Sequence, residues 1–217
     1  LNYLDTSPLS GNFYYFIVAQ DIHHNKSPVN VVTRPNITVN LTMFIEGFYD
    51  TNTDSQISDT VKAYLRNSTS PYTKADSATA IVNSNGSTIL YFTNAPTGNY
   101  YIELTHRNSI ETWSANSITM TTGSPLYYDF TNSPTQAYGS NEIQVDNSPN
   151  NVFALYSGDV NQDGTIDAGD LSQVENDAAN SLSGYFPSDV TGDDFVDAGD
   201  LSIVENNSAL GVNAVTP

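Results

Sequence analysis

Cysteine is absent from the 217 residues, so no disulfide stabilises this chain. Basic residues are scarce as well, because six Lys and Arg stand against 24 Asp and Glu, for a formal net charge of -18. So acidic a surface repels nucleic acid and anionic membranes. No apolar run approaches the roughly 20 residues that span a bilayer. The sequence therefore predicts neither a nucleic-acid partner nor membrane insertion.

Features of common hydrolase sites are also missing. There is no cysteine nucleophile and no G-x-S-x-G motif, and His106 lies in the apolar phase of its segment, as an interior histidine does. We therefore predict a non-catalytic protein. Abundant Ser, Thr and Asn are typical of secreted bacterial surface proteins, so we expect an extracellular location, secreted or on the cell surface. No secretory signal is visible and the chain opens on Leu1, so we expect part of a longer product.

The acidic residues are concentrated and regularly spaced. From Ser157 onward the chain has ten Asp, two Glu and no Lys or Arg. Within this segment, "DVNQDGTIDAGD" (159–170) is followed by "DVTGDDFVDAGD" (189–200). A twelve-residue calcium loop takes side-chain oxygens at positions 1, 3, 5, 9 and 12 and a backbone carbonyl at position 7. Both stretches meet this spacing, and Gly164 occupies position 6, where such a loop turns sharply.

The spacing predicts two calcium ions, because oxygen ligands without His or Cys suit calcium rather than zinc. The predicted ligands of the first ion are Asp159, Asn161, Asp163, the carbonyl of Thr165, Asp167 and Asp170. Those of the second ion are Asp189, Thr191, Asp193, the carbonyl of Phe195, Asp197 and Asp200. We expect the second site to be weaker, because Thr191 is a poorer ligand than Asn or Asp and Asp194 replaces the turn glycine.

Position 12 of each loop is Asp, and "DAGDLSQVEN" recurs as "DAGDLSIVEN". With these features, residues 157 to about 212 resemble a dockerin domain. The resemblance implies two calcium loops, each followed by a helix, and a cohesin-type partner. Apolar residues at helical spacing agree with it: Leu171, Val174 and Ala178, and then Leu201 and Val204. Ile166 and Val196 are predicted to pack between the loops.

The pair before the last ligand departs from the family pattern. In cellulosomal dockerins this pair is often Ser-Thr and helps to bind cohesin. Here the pairs are Ala168-Gly169 and Ala198-Gly199. The resemblance therefore carries over the metal chemistry but not the known partner specificity.

Between about Asn36 and Tyr156 apolar and polar residues alternate, as in half-buried strands. The alternation predicts three buried faces: Val39, Leu41, Met43 and Ile45; Val61, Ala63 and Leu65; and Tyr100, Ile102 and Leu104. Many short strands separated by turns such as Asn85-Gly86 favour a β-sandwich. "LYFTNAPTGNYYIEL" resembles a hairpin of transthyretin-like and collagen-adhesin B-type repeats, which implies a scaffold rather than an activity.

The first 33 residues form a separate unit in the sequence. "GNFYYFIVAQDIHHNKSPVNVV" resembles the last two strands of a fibronectin type III domain. Residues 13–19 and 29–33 would form the strands, and two strands alone are marginal in water. The apolar face and the open edge must be covered either by the missing earlier strands or by another copy of the chain, and we favour head-to-tail assembly with other copies over a lost upstream half. The residues of this assembly face are Phe13, Tyr15, Ile17 and Ala19.

Four other motifs are weaker indications. "DTNTDSQISD" (50–59) imitates half a calcium loop but lacks the last acid, so we predict a polar hairpin. Lys62 lies in the polar phase of its strand, which disfavours the Lys-Asn crosslink of some B-type repeats. Trp113 is expected in the core or at its rim, and the N-x-S/T sequons leave glycosylation open.

Together these observations predict a mainly β protein: an immunoglobulin- or transthyretin-like β-sandwich plus a small α-helical dockerin-like domain with two calcium loops. We divide the chain into a fibronectin-like hairpin (1–35), the sandwich (36–156) and the calcium-binding domain (157–217). The predicted function is a calcium-stabilised extracellular attachment module that assembles with copies of itself into a surface or filamentous structure. Two alternatives stay open: a dockerin that tethers a secreted enzyme to a cohesin-bearing scaffold, and a carbohydrate-binding sandwich.

Overall fold

The structure is a computed structural model that describes residues 36–147 and 149–217 and the backbone of 14–17 and 30–33. The first eight strands are β1 (Tyr14–Ile17), β2 (Asn30–Thr33), β3 (Ile37–Thr42), β4 (Tyr49–Asp50), β5 (Ser55–Gln56), β6 (Asp59–Asn67), β7 (Lys74–Val82) and β8 (Ser87–Phe92). They are followed by β9 (Gly98–Thr105), β10 (Thr112–Trp113), β11 (Ile118–Met120), β12 (Leu126–Asp129), β13 (Ile143–Asp146) and β14 (Val152–Ala154). The helices are α1 (Ala168–Ala179) and α2 (Ala198–Leu210), and three short 3-10 helices cover Glu46–Phe48, Pro134–Gln136 and Tyr138–Ser140.

Two sheets enclose the larger core. One has the strand order β10-β9-β6-β7, with β11 also paired to β9, and the other has the order β12-β3-β8. Strand β12 runs parallel to β3, whereas β8 is antiparallel to it. Buried side chains of both sheets, such as Val39, Leu90, Ala63 and Ile102, belong to one apolar cluster. The expectation of a mainly β fold with two helices is confirmed.

The alternating pattern predicted the buried faces correctly. Its ten residues are all at most 4 % exposed: Val39, Leu41, Met43, Ile45, Val61, Ala63, Leu65, Tyr100, Ile102 and Leu104. The strand itself ends at Thr42, so Met43 and Ile45 are buried outside it. The Gln56 side chain supports this irregular segment, because its Oε1 accepts from Ile45 N at 3.0 Å and its Nε2 donates to Met43 O at 3.4 Å.

The C-terminal part of the chain has its own core around the two helices. Val174 and Val204 are fully buried there, and Ile166 and Val196 pack with them, as predicted. Ile110, from the segment between β9 and β10, is fully buried in the same cluster. Among the described residues, no helix combines the length and the apolar character that a membrane crossing requires.

The N-terminal strands β1 and β2 pair in antiparallel fashion, with Tyr14 opposite Thr33 and Ile17 opposite Asn30. This pairing agrees with the hairpin that the sequence predicts. Phe13, Ala19 and the expected turn at 23–25 lie outside the described residues. The assembly face therefore stays a prediction, and so does the fibronectin-like identity of the hairpin.

The minor sequence motifs have structural explanations. Asp50 accepts hydrogen bonds from Asn52 N at 2.9 Å and Thr53 Oγ1 at 3.2 Å within the β4–β5 turn, so the segment is the expected polar hairpin. Lys62 is exposed on β6. Trp113 is 5 % exposed and packs edge-on against Tyr101, so its ring is part of the core rim and not a platform for sugars.

Candidate metal centres

The first loop, residues 159–170, buries its first and last predicted ligands. Asp159 is 2 % exposed and Asp170 is fully buried. The Asp170 carboxylate accepts backbone hydrogen bonds at 2.9–3.1 Å from Val160, Asn161 and Asp167. The Asp159 carboxylate accepts backbone hydrogen bonds from Asp163 at 3.1 Å and Gly164 at 3.2 Å. The loop therefore folds around these two acids.

The second loop, residues 189–200, repeats this arrangement. Asp189 is 1 % exposed and Asp200 is fully buried. The Asp200 carboxylate accepts backbone hydrogen bonds at 2.7–2.8 Å from Val190, Thr191 and Asp197. Asp189 Oδ1 accepts backbone hydrogen bonds from Gly192 at 2.8 Å and Asp193 at 3.1 Å. The sequence duplication is thus a duplication of geometry.

Each loop ends in a helix cap formed by predicted ligands. Asp167 is the N-cap of α1 and accepts from Gly169 N at 2.6 Å, while Asp170 at the third helical position accepts from Asp167 N. Asp197 and Asp200 form the same capping box at α2. The sequence analysis missed this role, although an acid three residues after an N-cap Asp is a known helix-start signal. In each loop the last predicted ligand, Asp170 or Asp200, thus accepts backbone hydrogen bonds from the loop and also completes the N-terminal cap of the helix.

The two loops carry their turn glycine at different positions, position 6 in the first loop and position 4 in the second. The first loop has Gly164 at position 6 with φ +88° and Gln162 at position 4 with φ +59°. The second has Asp194 at position 6 with φ +69° and Gly192 at position 4 with φ +76°. Asp194 adopts the left-handed conformation that the loop requires, as expected. Since each loop carries one non-glycine residue in this region, backbone strain does not distinguish them.

Thr191 remains the reason to expect a weaker second site. Its hydroxyl donates a hydrogen bond to Asp200 Oδ1 at 3.0 Å. The corresponding Asn161 side chain accepts from Asp163 N at 2.8 Å. Because the Thr191 hydroxyl already donates a hydrogen bond to Asp200, it is a poorer metal ligand than the side-chain amide oxygen of Asn161.

The electrostatic environments of the two loops differ. Burial raises the pKa of Asp159 to about 6, and the negative charges of Asp170 and Asp163 add to this effect. Burial also raises the pKa of Asp189, but there the positive charge of Arg107 opposes the shift. In the first loop no positively charged side chain opposes the raised pKa of Asp159. In the second loop Arg107 opposes the raised pKa of Asp189.

The middle ligands of both loops are exposed to solvent: Asn161, Asp163, Thr165 and Asp167, and then Asp193, Phe195 and Asp197. In the described part of the chain, no three acidic or histidine side chains are gathered for a metal ion. The structure therefore brings together the first and last acid of each loop and leaves the others apart. The donors are all oxygen atoms, and buried like charges require a counter-ion, so both sets fit calcium.

Arg107, which the sequence analysis did not single out, joins the sandwich to the second loop. Its Nε lies 3.0 Å from Asp59 Oδ2 on β6, and its Nη2 lies 3.4 Å from Asp189 Oδ2. Its Nη1 donates to the carbonyl oxygens of Asp189, at 2.9 Å, and Phe186. Burial opposes ionisation of Asp59, but the hydrogen bonds from His106, Tyr185 and Arg107 outweigh it and lower its pKa.

A second polar contact joins the sandwich to α2. The Glu46 carboxylate accepts from Asn207 Nδ2 at 2.6 Å and from Ser157 N at 3.0 Å. Burial raises the pKa of Glu46, and these hydrogen bonds oppose the shift. Gly47 allows the close approach, since a Cβ there would lie 2.1 Å from the carbonyl oxygen of Val190. The second copy of the repeat is thus held against the sandwich both at its loop and at its helix.

Small and apolar residues are exposed at the helix starts, beside the exposed acids of the loops. Ala168, Gly169, Ala198 and Gly199 are all exposed. Phe195, in the second loop, is 62 % exposed, and Leu210 at the end of α2 is 68 % exposed.

Residues 157–207 match the family model of the Dockerin type I domain. Comparison with curated proteins finds no match. Two similar solved structures are interface mutants of a type II cohesin-X-dockerin complex from Acetivibrio cellulolyticus, one altered at the C-terminal and one at the N-terminal interface. They are 14% and 15% identical to this chain, with a TM-score of 0.45, and each alignment covers 79% of this chain and 94% of that chain. By its sequence match, the segment 157–207 is a dockerin type I domain within a mainly β chain.

Proposed function

We propose that residues 157–217 bind two calcium ions and attach the chain to a protein partner outside the cell. The observation that carries this proposal is the duplicated buried acid pair, Asp159 with Asp170 and Asp189 with Asp200. Each pair is held by backbone N–H groups of its own loop, and bound calcium would supply the missing positive charge. Dockerin domains generally bind calcium and are non-catalytic modules, which supports the same function.

The proposed ligands are those of the sequence pattern. In the first loop they are Asp159, Asn161, Asp163, the Thr165 carbonyl, Asp167 and Asp170. In the second loop they are Asp189, Thr191, Asp193, the Phe195 carbonyl, Asp197 and Asp200. The first site is proposed to be tighter, because no positive charge opposes the raised pKa of Asp159, as Arg107 does for Asp189, and because its third position is an amide.

Calcium titration calorimetry of the full chain tests the two sites. Asp159→Asn and Asp189→Asn should each remove one binding event, whereas Glu175→Gln, an exposed acid on α1, should remove none. With free calcium at a hundredfold excess over the dissociation constant, each site stabilises the fold by about 2.7 kcal/mol. At equal free calcium a tighter site stabilises the fold more, so the Asp159 variant should lose more thermal stability than the Asp189 variant. A melting curve of the parent that chelator leaves unchanged would contradict both sites.

The proposed partner is a cohesin-like protein on a scaffold, because dockerin domains bind cohesins. The Ala-Gly pairs offer no hydroxyl groups, so recognition here would rest on apolar contact around Phe195 and Ala198 rather than on side-chain hydrogen bonds. Surface plasmon resonance against a panel of cohesins, in calcium and in chelator, tests this. Ala198→Arg should abolish capture, while Asn206→Arg, at an exposed position of α2, should not. Equal capture by both variants would refute the assigned surface.

Self-association through the N-terminal hairpin is a second candidate. The two-stranded sheet of β1 and β2 supports it, because so small a sheet leaves two edges for further pairing. Sedimentation of the full chain and of a chain that starts at Asn36, both in calcium, distinguishes the outcomes. Association that the shorter chain loses supports assembly. Monomers in both cases reject it and leave cohesin binding unaffected.

A further inference from the structure

Glu142 lies outside both calcium loops, between the 3-10 helix Tyr138–Ser140 and strand β13. It is only 5 % exposed, and both of its carboxylate oxygens are buried without a hydrogen-bond partner among the described residues. Burial of an unpartnered charged group costs several kcal/mol, so such a carboxylate acquires either a proton or a cation. The two calcium loops offer Glu142 no partner either.

Asp129, the last residue of β12, provides a second carboxylate at this place. Thr131 donates to Asp129 Oδ1 from its backbone N at 2.8 Å and from its hydroxyl at 2.7 Å. Among the described residues, Oδ2 of Asp129 accepts no hydrogen bond. Burial raises the pKa of Glu142 to about 9, and the negative charge of Asp129 contributes to the shift. The two acids therefore repel each other, with Glu142 buried and Asp129 partly exposed.

No basic side chain of the described residues compensates this charge. Lys62, Lys74 and Arg66 lie over the ring of Tyr64, at 4.4 to 5.5 Å from its centroid. Arg66 also pairs with Glu103, and Arg107 pairs with Asp59 and Asp189. The positive charge that the site requires must come from outside the described chain.

A proton satisfies this site poorly. A proton shared with Oδ2 of Asp129 would still leave the second oxygen of Glu142 without a donor among the described residues. A hard divalent cation would neutralise both carboxylates at once, and oxygen donors are the ligands that calcium prefers. We propose that Glu142 and Asp129 hold a third divalent cation, of the calcium class, inside the β-sandwich.

The position of this site gives it a structural consequence. The neighbouring Asn141 donates from Nδ2 to the carbonyl oxygen of Asn213 at 3.0 Å, in the segment that follows α2. The nearby Gly139 lies close enough to Val215 that an added Cβ would be 2.6 Å from its Cγ1. A cation at Glu142 would therefore fix the segment on which the C-terminal residues rest.

Counting bound ions tests the proposal. The full chain, dialysed against calcium and assayed by atomic emission, should hold three ions, and Glu142→Gln should hold two. Glu175→Gln makes the same chemical change at an exposed position and should keep three. In chelator, Glu142→Gln should melt at or above the parent, because the amide removes the buried charge. Calcium should then raise its melting temperature less than that of the parent.

Asp129→Asn provides a second variant if Glu142→Gln fails to fold, and it should weaken the third site at least tenfold. A Glu142→Gln variant that holds as many ions as the parent would overturn the proposal. A titration near pH 9 that Glu142→Gln abolishes, with an unchanged calcium count, would identify a proton as the occupant and also overturn it. The calcium ions lost in Asp159→Asn and Asp189→Asn report on the two loops alone. The proposal for the loops and the proposal for Glu142 can therefore be refuted independently.

Discussion

Replacement of Arg107 by Met should destabilise the contact between the sandwich and the second loop. Met retains most of the apolar stem but removes the guanidinium group, which lies over the rings of Phe48 and Tyr185. The change leaves Asp59 and Asp189 without their shared cation and removes one of two donors from each of the carbonyl oxygens of Phe186 and Asp189. We therefore expect a loss of stability and a weaker coupling between the two parts of the chain.

The burial of the three side chains sets the magnitude. The Arg107 side chain is 11% exposed, that of Asp59 is 7% and that of Asp189 is 1%. Removal of one partner from a buried ion pair costs about 3–5 kcal/mol, because the other charge remains uncompensated. Asp59 keeps its hydrogen bonds with His106 and Tyr185, so we expect the lower end, about 3 kcal/mol. For a chain of this size that lowers the melting temperature by about 6–12 °C.

Differential scanning calorimetry in chelator measures this loss. Lys62→Met serves as the matched control, because it removes an exposed positive charge that has no acidic partner among the described ion pairs. The Arg107 penalty should shrink in calcium, since a bound ion would itself compensate Asp189. A decrease of less than 1 °C in chelator, or the same decrease for both variants, would refute the reasoning.

The remaining predictions concern packing and pH. Gly47→Ala should cost about 1–3 kcal/mol in urea unfolding, because its Cβ would overlap the Val190 carbonyl, whereas Ser172→Ala on the exposed face of α1 should cost far less. Ile166→Ala should cost about 2–5 kcal/mol, because it opens a cavity in the C-terminal core; an unchanged urea midpoint would exclude that packing role. Burial lowers the pKa of His106, so its contribution to stability is present above the unfolded pKa of about 6.5 and is lost as the pH falls below it. The stability difference between parent and His106→Gln should therefore shrink from pH 7 to pH 5, and a constant difference would contradict this assignment.

Local patterns in the sequence were sufficient for much of the fold. The buried faces of β3, β6 and β9 follow from strict alternation, because successive side chains of a strand point to opposite sides. The two loops follow from ligand spacing within twelve residues, and the left-handed conformation of Asp194 follows from its position in the repeat. His106 was expected in the interior from its phase, and it is 4 % exposed. In each case the signal and the structure lie in the same short segment.

The tertiary structure decided the features that depend on distant residues. Arg107 meets Asp189 across 82 positions and Asn207 meets Glu46 across 161, and neither pair has a local signature. Ile110 was assigned to the sandwich segment but packs in the C-terminal core, because the chain between β9 and β10 passes beside both helices. No motif in the sequence distinguishes Glu142 from the other acids. Only its burial near the charge of Asp129 makes it a candidate ligand. The sequence alone determined which residues form each loop and each strand face, since these depend on spacing; which charges meet, and which lack a partner, depends on how the folded segments pack.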